Sequence, residues 1–340
     1  MYHKFACRGQ GQREPLFLFH VFVFSCSRVV ASWSVIGSGV VGLCVATLLA
    51  EQGESLEVII GNEASASHWA GGMLAPFCEG ESAPEQVINL GQCAASWWSQ
   101  RIKGVVHKGT LVVVSPRDTS ELTRFARVTC GYQWVDPSDL EPELAGRFVR
   151  GLFFPSEAHL DPRDALLQLQ TRLKEGGVAF HTGKPNGVII DCRGIYATDH
   201  QPELRAVRGE MLILECNDLH FTRPIRLLHP RFPCYLVPRA GGRFMLGSTM
   251  VESNDASPIS ARAVMELLSA AWAIHPALVE ARILESGTGL RPAYRHNMPE
   301  VRYRDGVFYL NGMYRHGFLL SPAMAQQLIQ LLSQESEHAN

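Results

Sequence analysis

One run of small residues dictates how this chain begins to fold. Trp33-Ser-Val-Ile36 has the apolar, β-branched character of a buried strand, and Gly37-Ser-Gly39-Val-Val-Gly42 follows at once. An apolar helix pattern then continues through Leu43, Val45, Ala46, Leu48 and Leu49 until Gly53 stops it, and Leu56 to Ile60 is a second buried strand. Strand, glycine loop, helix and strand make a βαβ unit with G-x-G-x-x-G where a dinucleotide pyrophosphate lies. The first Gly permits the tight turn, the second lets the backbone approach the phosphates, and the third lets the helix lie close to the sheet. A small-residue contact between helix and strand, with no ligand, is the alternative for the loop taken alone.

A second glycine-studded turn lies near the other end. Val307 to Leu310 is an apolar strand that runs into Asn311-Gly-Met-Tyr-Arg-His-Gly-Phe-Leu-Leu-Ser-Pro322. Ser321-Pro322 has the N-cap and first-turn residues of a helix start, so the helix is expected from there. Backbone N–H groups and a helix dipole would face something electron-rich. A cofactor long enough to touch both loops would account for the pair.

Composition sets limits on partners and compartment. With 340 residues, 46% apolar and 19% charged, the chain can bury a full core. A net charge of −2 gives no electrostatic case for nucleic acid or an anionic membrane. The 9 cysteines are scattered, odd in number and without a C-x-x-C pair. That argues against a metal site or a secreted disulfide framework and for a reducing, cytoplasmic compartment. Residues 1–31 read as an extension outside the fold, or as a weak signal peptide, because Leu16 to Phe24 is apolar but too short to span a bilayer.

The pattern beyond the first unit alternates between two kinds of segment. A long helix is expected over Pro84 to Lys103, with Trp97 and Trp98 in the core or an interface. Ser138-Asp-Leu-Glu141 has capping-box spacing for a short helix. Asp161-Pro162 opens a helix to Glu175, and Asn186 to Gly194 is a buried strand ending in a glycine turn. Val207 to Leu214 and Cys234 to Met250 alternate as antiparallel strands do, Ala261 to Ala273 is an amphipathic helix, and Arg282 to Ser286 is a strand. The expected fold class is α/β, a Rossmann-like cofactor domain interleaved with an antiparallel-sheet (α+β) substrate domain. Residues 32–75, 156–206 and 285–335 would form the first, and 76–155 and 207–284 the second.

Four further patterns occur in order: Ala70-Gly-Gly-Met-Leu-Ala-Pro76, Tyr235-Leu-Val-Pro-Arg239 before Gly247-Ser-Thr-Met250, Gly289-Leu-Arg-Pro292, and Tyr314-Arg-His-Gly-Phe-Leu-Leu320. With the G-x-G-x-x-G they resemble the D-amino-acid-oxidase-like flavoproteins, and among them the glycine oxidase branch that serves thiamine biosynthesis. The resemblance covers about residues 33–332. It implies non-covalent FAD, because no Cys follows Cys234 and the covalent link from a C-terminal Cys is excluded. It implies oxidation of glycine, sarcosine or small D-amino acids by O2, giving the imine and H2O2. No catalytic acid–base pair and no metal are implied, and a homo-oligomer is left open.

The same resemblance assigns roles. Gly37, Gly39, Gly42 and the backbone of Val40 and Val41 would hold the pyrophosphate. Ser67, Gly71, Gly72 and Met73 would pass the flavin and ribityl chain, with Gly194 packed nearby. Tyr314, Arg315, His316, Gly317, Phe318 and Leu319 would cradle the pyrimidine edge. Arg291 would bind the substrate carboxylate, Tyr235 would add a hydrogen bond, Met250 would line the side-chain pocket, and Arg315 would assist. A guanidinium grips a carboxylate by two parallel bonds, which a Lys cannot copy.

Some readings stay open in the sequence. Arg291 could instead pair with Glu285, and His316 reads better as a supporting group than as a base. The acidic residue expected for the adenosine ribose is missing at its usual place, with Glu63 or Asn62 as substitutes. A D-amino-acid dehydrogenase passing electrons to quinone, a non-catalytic flavin-binding relative and an NAD-dependent dehydrogenase are the competing functions. Only the Leu16 to Phe24 segment favours the first, and the last leaves residues 311–322 unexplained.

Overall fold

The computed structural model describes residues 32–61, 65–229 and 233–338, so the expectations for residues 1–31 and for Asn62 and Glu63 lie outside the described residues. The described residues build two large sheets and a small two-stranded one, Met73–Leu74 with Ala158–His159. One has six strands in the order Glu300–Arg304, Val307–Asn311, Val188–Asp191, Trp33–Ile36, Leu56–Ile59 and Ala179–His181. All neighbours are parallel except the Glu300–Arg304 edge, which pairs antiparallel with Val307–Asn311. Trp33–Ile36 carries Leu56–Ile59 on one side and Val188–Asp191 on the other, so the strand order reverses at its carboxyl end. Ligands of open α/β sheets bind at that kind of crevice.

Helices Val40–Glu51, Pro162–Glu175 and Gly317–His338 supply much of the apolar cover of this sheet. Leu43, Val45 and Leu49 join Val35, Val58 and Ile190 of the strands and Phe318, Leu320 and Leu328 of the last helix in one core. Burying each such side chain stabilises the fold by about 1.5–3 kcal/mol.

The second sheet has nine strands and is largely antiparallel. Its long pair, Arg205–Glu215 and Arg282–Ala293, is registered Val207 to Arg291 and Gly209 to Gly289. Arg205–Glu215 also pairs with Arg243–Gly247, which pairs with Cys234–Arg239. The amphipathic helix Ala261–Ile274 places Leu267, Ala271 and Ile274 against Leu212, Leu214, Leu236 and Leu246.

Several local expectations need correction. The strand expected over Arg282 to Ser286 runs on to Ala293, so Gly289-Leu-Arg-Pro292 lies within a strand of the second sheet, although residues from 285 onward were assigned to the cofactor domain. The long helix expected over Pro84 to Lys103 is two helices, Glu85–Gly91 and Ala94–Ser99. The break follows Gly91, a weak helix former packed so closely that a Cβ there would stand 2.8 Å from Leu319 Cγ. These helices put Val87, Ala94, Trp97 and Trp98 into the core of the first sheet, not that of the second. At the Ser138 segment, Asp136 is the N-cap and accepts from Ser138 N at 2.9 Å, because Pro137 takes the first helical position.

The last helix begins at Gly317 and runs through Pro322, four residues earlier than the Ser-Pro pattern indicates. A proline inside a helix withholds a hydrogen bond from the carbonyl four residues back. That carbonyl is Phe318 O, and Trp98 Nε1 donates to it at 2.9 Å.

Candidate functional site

The glycine loop is built as tightly as its spacing implies. Gly37 has φ +108°, and a Cβ there would stand 2.6 Å from Cys192 O. A Cβ on Gly42 would stand 1.8 Å from Gly37 O. The helix that follows has Gly39 as N-cap with no side-chain cap, and its first ladder bond is Leu43 N to Gly39 O at 3.0 Å. Val40 N donates to Ser67 Oγ at 3.0 Å. Helix geometry leaves the amides of Val41 and Gly42 without an intrahelical acceptor, which suits an anion.

The start of the last helix meets this loop. Gly317 lies so close to the first helix that a Cβ on it would be 3.3 Å from Val40 Cγ1. The first ladder bond there is Leu320 N to His316 O at 2.8 Å, so the amides of Gly317, Phe318 and Leu319 are likewise open. Two helix N-termini, one at each end of the chain, therefore converge. The cradle would close if the glycines carried side chains, and it fits the pyrophosphate and the electron-rich edge of one dinucleotide.

A cavity of about 1010 Å³ opens beside this junction. Gly71, Gly72 and Met73 line it, as do Tyr235, Met250, Arg291 and the run Tyr314 to Leu319. Gly37, Gly39, Val40, Val41, Gly42 and Ser67 lie in the adjoining cradle, while Gly194 sits under the long strand, with φ +63° and its carbonyl accepting from Asn311 Nδ2 at 2.8 Å. Tyr235 stacks so near Gly71 that a Cβ there would be 2.6 Å from its ring. Arg239, which the sequence reading left without a role, donates from Nη2 to Gly71 O at 2.8 Å and fixes that backbone. Burial lowers its pKa to about 10, with Asp161 opposing the fall.

The charged groups divide into paired and unpaired. Arg315 binds Glu79 Oε2 at 2.6 Å and Ser82 Oγ at 2.5 Å, so its guanidinium is engaged by the chain itself. Burial pushes the Glu79 pKa up, but the guanidinium charges of Arg315 and Arg226 and the Arg315 hydrogen bond outweigh it and hold it below its ordinary value. His316 is buried, with Nδ1 at 3.6 Å from the same carboxylate, and burial pushes its pKa down to about 4. His316 is therefore a neutral supporting group at physiological pH.

Arg291 differs. Its Nη1 donates to Thr249 O at 3.2 Å and its Nη2 to Ser248 Oγ at 2.7 Å, both neutral oxygens. Glu285, the alternative partner, pairs with Arg163 at 2.8 Å. No carboxylate among the described residues lies within ion-pair distance of Arg291, and burial lowers its pKa. A partly desolvated guanidinium without an anion is costly, so the site suits one. Met250 is 53% exposed at the rim, and its Sδ accepts from Tyr314 OH at 3.1 Å.

Ser248, Gly209, Glu79, Ser82 and Arg239 take part without having been singled out as site residues. Arg239 and Ser248 fall inside quoted motifs, so their positions were available; Gly209 and Glu79 gave no local signal.

A pyrophosphate cradle at a strand-order reversal, joined to a second helix start and an anion-seeking cavity, is the architecture of a dinucleotide-binding α/β protein. Residues 32–331 match the family described as FAD dependent oxidoreductase (DAO), and the chain belongs to that family. It is 49% identical over 314 residues to a Rhizobium etli protein named, provisionally, thiamine biosynthesis oxidoreductase ThiO, covering 88% of this chain and 95% of that one. It is 24% identical to a glycine oxidase of Geobacillus kaustophilus, covering 85% of this chain and 89% of that protein. The crystal structure of glycine oxidase from Geobacillus kaustophilus superposes with a TM-score of 0.75 at 21% identity, over 89% of this chain and 95% of that one, which is a likeness of fold. No helix among the described residues is long and apolar enough to cross a membrane.

Proposed function

We propose that this protein oxidises glycine, and with it sarcosine or small D-amino acids, to the imine, with non-covalently bound FAD as the redox group and O2 as the final acceptor. The observation that carries the reading is the half-buried Arg291, which has no anionic partner among the described residues and faces the cavity beside two converging helix starts. Bound FAD supplies the acceptor for the two electrons that leave the substrate Cα as hydride.

The residues of the chain position and select. Arg291 holds the substrate carboxylate through two N–H groups. Tyr235 and its neighbour add a hydroxyl donor to that anion. Met250 and Tyr314, in contact at 3.1 Å, restrict the space for a side chain. The amides of Val41 and Gly42 would hold the pyrophosphate, and those of Gly317 to Leu319 would serve the flavin's electron-rich edge, where N–H groups stabilise negative charge. Holding the amine in a single orientation is the main catalytic contribution, since proximity alone removes much of the barrier. The imine hydrolyses to glyoxylate and ammonia or passes to thiazole formation, a role supported by the likeness to the Rhizobium etli protein.

The test is direct. Purified protein should carry FAD that is released on denaturation, and glycine should produce H2O2 in step with O2 uptake. Arg291→Ala should keep the flavin and lose apparent affinity for glycine. Flavin reduction by glycine with dye but no O2 uptake would replace the oxidase with a dehydrogenase, and a flavoprotein that glycine does not reduce would end the reading.

A further inference from the structure

Arg291 owes its pose to the neighbouring strand Arg205–Glu215 and to the connection that follows Arg243–Gly247. It stands opposite Val207 in the long strand pair, and its guanidinium reaches across to lie over Gly209. A Cβ on Gly209 would stand 2.1 Å from Arg291 Nη2 and 2.3 Å from Cζ. The backbone at Gly209 is not left-handed, so the glycine is needed for the space it leaves. Thr249, whose carbonyl takes Nη1, is locked in turn: its Oγ1 donates to Glu210 Oε2 at 2.8 Å and accepts from Glu210 N at 2.9 Å.

Ser248 Oγ takes Nη2 at 2.7 Å and lies 3.1 Å from Tyr235 OH. The two hydroxyls own two protons, and the bond between them uses one, whichever atom donates. One O–H remains, beside the guanidinium and on the cavity wall, since Tyr235, Ser248 and Arg291 all line it.

We propose that Ser248 is the positioning residue of the anion site: it sets the rotation of the Arg291 guanidinium over Gly209 and, with Tyr235, delivers a single shared O–H to the carboxylate that Arg291 holds. This rests on the reading that the substrate carries a carboxylate. Ser248→Ala therefore loses the anchor on Arg291 but leaves the Tyr235 proton free for the anion. Tyr235→Phe leaves the Ser248 proton free and keeps the anchor. Only the double variant loses both the anchor and the last hydroxyl donor.

The experiment uses the FAD-loaded enzyme, with acetate as the carboxylate probe and acetamide as its neutral counterpart, followed by the change in the flavin's visible spectrum. Steady-state KM and kcat on glycine are measured alongside. Ser248→Ala should weaken acetate and raise KM about tenfold, the worth of one charge-assisted hydrogen bond. Acetamide binding and flavin content should hold. Tyr235→Phe should cost about threefold or less, and the double variant more than the product of the two. Ser248→Thr, which keeps the hydroxyl, should restore binding. If Ser248→Ala loses its flavin, Ser248→Cys gives the same comparison with a weak donor.

Unchanged acetate binding in Ser248→Ala, with a loss in Arg291→Lys, overturns the proposal and leaves the carboxylate reading intact. Unchanged acetate binding in Arg291→Lys as well overturns both. A double variant equal to the product of the singles overturns the shared proton.

Discussion

Trp98 Nε1 donates to the Phe318 carbonyl at 2.9 Å, the same carbonyl that Pro322 leaves without its helical partner. The indole is fully buried, with its ring 5.5 Å from that of Phe318. A residue far upstream thus completes the first turns of the helix whose amides face the cofactor cradle.

Trp98→Phe keeps most of the packing and removes the donor. The buried carbonyl then stays unsatisfied, at a cost of about 1–3 kcal/mol. Urea unfolding should report that loss, and FAD should dissociate more readily. Unaltered stability and FAD affinity would show that the carbonyl finds water instead.

The sequence made the existence of this helix legible and misplaced its start. Ser321-Pro322 is a sound start signal wherever the residues before it are free, but here Gly317 to Leu320 are already helical. The proline is tolerated because an indole from another helix takes the orphaned carbonyl. No local pattern encodes that contact. The glycine loop was legible because its pattern is contiguous: Gly42 makes room for Gly37 O, and Gly37 for Cys192 O just past the adjoining strand. Arg291 was legible as a cation in a motif. That Glu285 turns to Arg163, and that Gly209 and Ser248 shape its pose, depends on strand register and could not be read locally.

Gly42→Ala tests the cradle. The added Cβ would stand 1.8 Å from Gly37 O, and that backbone leaves nothing flexible to yield. The helix must move off the sheet, as in other over-packed cores, with a loss of about 1–3 kcal/mol or more. The variant should be isolated without FAD, as absorbance and thermal unfolding would reveal. A flavin-loaded Gly42→Ala of ordinary stability would refute the cradle.

Glu157 sets a pH dependence of the opposite sign to most carboxylates. Burial raises its pKa from 4.5 to about 7, with Glu79 adding to the rise, although Cys78 N donates to Oε1 at 2.8 Å. The folded state holds a proton that the unfolded state releases, so stability falls as pH climbs from about 4.5 to about 7, by about 3 kcal/mol in all. His159 and His316 act the other way. Burial lowers both to about 4, so the unfolded state binds their protons first, and stability rises with pH between about 4 and 6.5. Glu157→Gln should therefore steepen the rise in stability from pH 4.5 to 6.5 and remove the decline toward pH 7. Urea midpoints across that range measure it, and parallel profiles for the two proteins would be the contrary result.

Glu79→Gln should tighten anion binding. Glu79 is ionised and neutralises Arg315, which lines the same cavity as Arg291. With a neutral amide in its place, two guanidinium charges face one anion, and acetate affinity should rise about three- to tenfold at low salt. The gain should shrink as salt is added. A loss of affinity would mean that Glu79 holds Arg315 where the anion needs it.

The convergence of Val40 and Gly317 has a consequence for biogenesis. The two helix starts that would grip one cofactor are encoded near opposite ends of the folded chain. A ribosome-bound nascent chain can form its glycine loop early, yet on the proposed reading it would not retain FAD until the closing helix has emerged. On the proposed reading, flavin content would report that the segment starting the last helix has folded onto the glycine loop. A protein shortened before Gly317 would fail as a flavoprotein while keeping every residue of the pyrophosphate loop.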